Sequence, residues 1–265
     1  MLHAQDRKIR LGLPLMAVLG WMGAVTSSPA NPPTLGDVRV LRVAINYGNA
    51  VLARRDEQTG QLSGVSVDIA QEFARQLGRP VELIGFDAAN RAVQALRDQR
   101  VEVGFFAIDP ARSEGLRFTP AYVVIEGAYV VPASSRIQNP QEVDQPGVRV
   151  AVAERSAYDL YLSRTLKQAQ LVKTVRSSEV VNLMFSRELE VAAGVKQQLE
   201  KDMQIHPNLR MLKPSFMQIQ QAMATSESNP ALHSELVAFL ARIKASGFIQ
   251  SALQRHRIEG VSIAP

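Results

Sequence analysis

Apolar and polar residues alternate with two different periods along most of this chain. Residues 40–45 (VLRVAI) are dense in β-branched residues and predict a strand. In 66–78 (SVDIAQEFARQLG) the apolar positions Ala70, Phe73, Ala74 and Leu77 recur at i, i+3, i+4 and i+7, one face of a helix. Gly78 and Pro80 end that helix, because glycine tolerates the left-handed turn and proline cannot continue the hydrogen-bond ladder. A second strand is predicted over 81–86 (VELIGF) and a helix over 90–99, with Ala92, Val93 and Leu96 on one face. Residues 101–107 (VEVGFFA) read as a third strand. This β-α-β-α-β order implies a mostly parallel sheet with helices on its faces.

The pattern then changes. Residues 121–132 (AYVVIEGAYVVP) form a strand-prone run interrupted at Glu126 and Gly127. It exceeds the usual strand of about five or six residues and is long enough to pass from one lobe to another. A second series follows: a strand at 148–153, a helix beginning near Ser156, and strands at 170–175 and 190–195. Residues 216–224 (FMQIQQAMA) are strand-like again. Asn229-Pro230 opens a helix whose apolar face is Leu232, Leu236, Phe239, Leu240 and Ile243. No internal repeat or low-complexity tract interrupts this order.

The first 30 residues follow a different plan. Lys8 and Arg10 precede an uncharged apolar stretch, 11–25 (LGLPLMAVLGWMGAV), and Ser28 and Ala30 occupy the −3 and −1 positions of a cleavage site. That is the layout of a secretory signal peptide, shorter in its apolar core than the roughly 20 residues that span a bilayer. Residues 31–38 then read as a linker. Without the leader the formal charge falls from +5 to +3, spread along the chain with no aromatic-plus-basic stripe, so no nucleic-acid partner is expected. No later segment approaches membrane-spanning length, which predicts a soluble mature protein. The chain has no cysteine, hence no disulfide and no lipid-modified residue after the leader. An exported, freely diffusing protein of this kind fits a Gram-negative periplasm.

Little in the sequence supports catalysis directly. The histidines, His3, His206, His233 and His256, share no metal-ligand spacing, and neither a nucleophile elbow nor a phosphate-binding loop is present. No metal or cofactor is expected. Two local features suggest anion binding. Asp109 and Pro110 suit the cap and first position of a helix, which would set Arg112 in its first turn, against the dipole. An unfavourably placed cation has another use, or is simply solvated at the surface. The run Ser156-Ala157-Tyr158-Asp159 has the form of a capping box, whose helix start would either offer free N–H groups to a carboxylate or serve as an ordinary cap.

Four segments together resemble the periplasmic solute-binding proteins of the amino-acid-type ABC transporter family. They are 64–70 (GVSVDIA), 104–112 (GFFAIDPAR), 118–122 (FTPAY) and 244–248 (KASGF), and the similarity covers roughly 39–257. The resemblance implies an α/β, two-lobe periplasmic-binding-protein fold of type II. Each lobe would be a mostly parallel sheet flanked by helices, joined by two crossing strands with the ligand in the cleft. On that basis 39–124 and 220–265 form lobe 1, and 125–219 form lobe 2. The expected partners are a small carboxylate-bearing solute and an inner-membrane ABC permease, and the expected state is a monomer.

The resemblance also assigns roles. Arg112 matches the arginine that clamps the ligand carboxylate, a task suited to two parallel N–H groups. Arg155 and Ser156 stand where the family has a glycine-threonine turn, and the glycine is replaced. Tyr47 stands where an aromatic often covers the ligand. One of Phe105 and Phe106 would line the cleft and the other the core. Asp68 matches an acid with a structural role. Two positions depart from the family. Ala107 replaces a serine or threonine that donates to the carboxylate, and Val195 replaces the acid that pairs with the ligand's ammonium. Glu126 is the substitute acid, or the ligand lacks the amine; Gln197, Gln220 and Gln221 are neutral alternatives. The leading expectation is a non-catalytic receptor feeding an importer. The alternatives are an enzyme resembling cyclohexadienyl dehydratases, with Glu126 as its acid or base, and a ligand-sensing module.

Overall fold

A computed structural model of the chain describes residues 39–265, so the expected leader and linker lie outside the described residues. The elements, in chain order, begin with β1 (Leu41–Asn46), β2 (Arg54–Arg55), β3 (Leu62–Ser63), α1 (Val65–Gln76), β4 (Val81–Phe86), α2 (Ala89–Arg97) and β5 (Val103–Ala107). A long strand β6 (Leu116–Pro132) leads to β7 (Arg149–Ala153), α3 (Ala157–Thr165), β8 (Gln170–Thr174), α4 (Val180–Ser186), β9 (Val191–Val195) and α5 (Lys196–Ile205). The chain ends with β10 (Leu209–Met211), β11 (Met217–Ser226), α6 (Pro230–Ala245), α7 (Phe248–Arg255) and β12 (Ser262–Ile263).

The main sheet runs β4-β1-β5-β11-β6-β9-β7-β8, with β10 and β12 paired to β6. It contains two parallel triplets. β1 lies parallel between β4 and β5, and β7 lies parallel between β8 and β9. Antiparallel β6 and β11 join them: β11 pairs with β5 and β6, and β6 continues to β9. These two strands are the crossings expected from 121–132 and 216–224. β6 reaches 17 residues because its first part serves one triplet and its last part the other. Where Pro120 lacks an N–H, the β6–β11 register shifts, and the Thr119 hydroxyl accepts the Met223 N–H at 3.2 Å.

The hydrophobic core divides with the sheet. One cluster joins β1, α1, β5, α6 and α7, with Phe73 and Phe239 rings 4.9 Å apart. A smaller cluster under α2 holds Ala92, Leu96 and Phe106. The other large cluster runs from Ala128 to Leu212 around the second triplet. Val195 and Met217 pack against both large clusters, beside the crossings. Each lobe is therefore an α/β layer structure with its own core.

Local chemistry explains the boundaries. α1 stops where Gly78 takes φ +64° and its N–H returns to the Arg75 carbonyl. α6 starts on Asn229, whose side chain accepts from the Leu232 N–H, with Pro230 in the first turn. Among the described residues no single helix is long and apolar enough to cross a membrane. One expectation is corrected here. Pro110–Arg112 is a single 3-10 turn, capped by Asp109, so no extended helix dipole opposes Arg112.

Candidate functional site

Arg112 lies where the two lobes meet. It follows β5 of the first lobe and is 4% exposed. Its Nη1 donates to the Ala107 carbonyl at 3.1 Å, and its Nη2 crosses to the Arg155 carbonyl of the second lobe at 2.9 Å. Both partners are neutral. Asp109, three residues earlier, is held by Arg164 of α3 through two hydrogen bonds of 3.1 and 2.8 Å. Burial therefore dominates the Arg112 guanidinium and pulls its pKa down to about 10; Asp109 offsets this in part.

A cavity of ≈ 60 Å³ opens beside this guanidinium, and Ala107, Ser156, Val195 and Gln221 also border it. A second space of ≈ 310 Å³ shares Gly48, Asp87, Ser177 and Gln198 with the first and extends to exposed Glu57 and Arg176. Gly48 lets two loops meet at this boundary, since a methyl there would sit 2.2 Å from the Asp87 carbonyl oxygen.

The second lobe contributes the start of α3. Ser156 caps it, accepting from the Asp159 N–H at 3.0 Å. Asp159 reaches back to the Arg155 N–H at 2.6 Å, one residue earlier than in an ordinary capping box. Arg155 takes φ +55°, a left-handed turn that favours glycine. That turn directs its carbonyl to Arg112, while the Arg155 side chain is exposed. The first N–H groups of α3, on Ala157 and Tyr158, have no intrahelical acceptor, and both residues border the cavity.

Other expected residues are distributed differently. Tyr47 borders the larger space, with the Arg55 guanidinium 5.9 Å from its ring centre. Phe105 is buried edge-on against Tyr122 at 5.9 Å, and Phe106 lies in the cluster under α2; neither borders the cavity. Alternation along β5 gives the cleft-facing end position to small Ala107 instead. Glu126 is outside the lining and pairs with Lys196 at 2.6 Å. Asp68 binds Arg255 and His256, tying α1 to α7. Gln197 donates to the carbonyls of Glu259 and Gly260, and Gln220 is exposed; only Gln221 of those three borders the cavity.

Sequence reasoning missed Asn46, Asn49 and Gln198. All three border the cavity. The side-chain oxygens of Asn46 and Asn49 are buried without a hydrogen-bond partner among the described residues. Gln198 donates its Nε2 to Asp202 at 3.0 Å. Isolated amides have no spacing signature; only the position of Asn46 at the end of β1 and of Asn49 in the loop that follows hinted at a ligand loop. Among the described residues no group of three or more metal-ligating side chains gathers.

Comparison with solved structures gives the same architecture at low identity. A histidine kinase sensor domain with similarity to periplasmic binding proteins superposes with a TM-score of 0.73 at 20% identity, over 86% of this chain and 98% of that one. A putative ABC transporter binding component from Wolinella succinogenes, complexed with lysine, gives 0.71 at 19% identity, over 82% and 94%. An ancestral amino acid-binding protein, a precursor of cyclohexadienyl dehydratase, gives 0.69 at 18% identity, over 82% and 94%. Comparison with curated protein sequences gives no match. The sequence profile that fits this chain spans residues 41–257, nearly all of the fold and both walls of the cleft, and by it the chain belongs to the bacterial extracellular solute-binding proteins, family 3.

Proposed function

We propose that this protein captures a small carboxylate-bearing solute between its lobes in the periplasm and delivers it to an inner-membrane ABC permease. The observation that carries the reading is Arg112: a guanidinium 4% exposed, beside a cavity, whose hydrogen-bond partners are two neutral carbonyls. A buried charge whose hydrogen-bond partners are neutral is costly even with Asp109, engaged by Arg164, offsetting it in part, and an arriving carboxylate supplies a directly paired anion. The N–H groups opening α3 and the Ser156 turn add favourable partial charge from the opposite lobe. We take the lobes as 39–124 with 220–265, and 125–219, in keeping with the two large core clusters. Export is supported by the family and by the leader pattern of residues 1–30.

The role is binding rather than catalysis. An elimination in this cleft would need a positioned acid or base. Glu126, the acid expected for that role, is engaged by Lys196 outside the cavity lining, and of the acids that border the cavity Asp87 pairs with Arg91 and Arg176 and Glu154 is exposed.

Isothermal titration with a panel of small carboxylates is expected to give 1:1 binding. Arg112→Ala should weaken it by about 100-fold or more, since two charge-assisted hydrogen bonds contribute about 3 kcal/mol or more. Unchanged affinity in that variant would remove Arg112, and with it the carboxylate reading.

A further inference from the structure

The cleft carries more information than Arg112 alone, and the following inference rests on the carboxylate reading above. Apart from Arg112 and Ser156, half of the polar residues bordering the cavity are amides, Asn46, Asn49, Gln198 and Gln221; the others are Asp87, Glu154, Tyr158 and Ser177. The oxygens of Asn46 and Asn49 are buried and unpartnered. Gln221 is 6% exposed, and its side chain has no hydrogen-bond partner among the described residues. Gln198 is oriented by Asp202 on the next turn of α5, which takes the amide N–H at 3.0 Å and leaves the amide oxygen free for the cleft. Asp202 is itself only 9% exposed.

The acids around both spaces are committed or open to water. Asp87 pairs with Arg91 at 2.8 Å and Arg176 at 3.7 Å. Glu154 and Glu57 are exposed. Val195 occupies the end of β9, and Glu126 is held by Lys196. Closing over a zwitterion would pair its carboxylate with Arg112 but bury its ammonium with no free anion beside it, leaving a net positive charge in the cleft. Closing over a monoanion neutralises Arg112, and the free amide oxygens then require uncharged donors.

We infer that Asn46, Asn49 and Gln198, with Asp202 as the positioning residue for Gln198, form a neutral acceptor subsite that selects carboxylic acids bearing a hydroxyl or carboxamide over α-amino acids. The ligand class is thus hydroxy acids and amic acids. Val195 and the amides jointly replace the anionic pocket that an ammonium requires.

Two matched probe pairs test this by titration calorimetry: L-lactate against L-alanine, and succinamate against L-asparagine. Each pair contrasts an amine-free acid with its α-amino counterpart. The amine-free member is expected to bind at least about tenfold tighter in both pairs. Gln198→Glu supplies an anion at the subsite and should narrow or reverse both ratios. Asp202→Leu should reduce the preference while Arg112-dependent carboxylate binding persists, a change in ratio that loss of folded protein alone does not produce. Tighter binding of the amino acids, abolished by Glu154→Gln or Glu57→Gln, would overturn the subsite and leave the carboxylate reading intact. So would ratios unmoved by Gln198→Glu. Failure of all four probes to bind, or binding that survives Arg112→Ala, would overturn the carboxylate reading and this inference with it.

Discussion

Burial lowers the Arg112 pKa from the ordinary guanidinium value to about 10, and the sign of that shift has two consequences. Between those values the unfolded chain holds the proton more tightly than the folded one, so stability rises with pH across the window; below it the cost of the buried charge is fully present. That cost is of order 3 kcal/mol. Removing the guanidinium relieves it but leaves two carbonyls without that donor, at about 1–3 kcal/mol each. Arg112→Met is therefore expected to change the melting temperature of the ligand-free protein by only a few degrees while abolishing carboxylate binding. Separately, wild-type affinity should be level through neutral pH and fall about tenfold per unit above about pH 10, as titration calorimetry at stepped pH would register. Arg155 offers the opposite kind of test. Its φ of +55° strains an L-residue, so Arg155→Gly should raise the melting temperature by about 2–4 °C, the effect of about 1 kcal/mol in a domain of this size. Residues of this kind were readable in advance only where chemistry and position coincide. Arg112 stood out as a cation at a capped turn within a family segment. Asn46, Asn49 and Gln198 did not, because a neutral amide becomes informative only when its oxygen is found buried and unpartnered.

Elements were legible to the degree that their burial is periodic. α1, α2 and α6 each present a stripe of apolar residues to a core, and β1, β4 and β5 are short runs bounded by turn residues, so pattern and structure agree. α5 was invisible because its sequence, KQQLEKDMQI, buries only Leu199 and Asp202. α4 is seven residues long, and α7 follows Gly247, whose φ of +73° looks from sequence like a final stop rather than a corner between helices. The full length of β6 was also hidden, since Pro120 reads as a break until the Thr119 hydroxyl is seen repairing the ladder. The best test at this scale is Gly104 in β5. A methyl there would meet the ring of the fully buried Phe106 at 2.3 Å, with the sheet on one side and α2 on the other. Gly104→Ala should therefore destabilise by about 1–3 kcal/mol in denaturant unfolding, and Gly104→Ala with Phe106→Leu should recover part of it.

At the scale of the molecule, the lobes are held face to face by the protein's own groups. Arg164 of α3 grips Asp109 through both nitrogens, Arg176 lies 3.7 Å from Asp87, and Arg112 reaches the Arg155 carbonyl. The first of these is the strongest candidate for a latch, because the Asp109 side chain is 6% exposed while Arg164 is 44% exposed. A pair of that kind lies between a screened surface bridge, worth about 0–1 kcal/mol, and a buried one whose disruption costs about 3–5 kcal/mol. An intermediate value of about 1–2 kcal/mol shifts an open–closed equilibrium by roughly 5- to 30-fold. Ligand affinity falls with the fraction of binding-competent protein, so the same factor bounds the loss of binding. Arg164→Ala should thus increase the radius of gyration of the ligand-free protein in small-angle scattering and weaken carboxylate binding by several-fold, without touching Arg112. Saturating ligand should return the scattering curve to that of the wild type, because closure around the anion restores the contact between the lobes. Identical ligand-free scattering and affinity in the two proteins would show that the Asp109–Arg164 pair follows closure and does not help to set it.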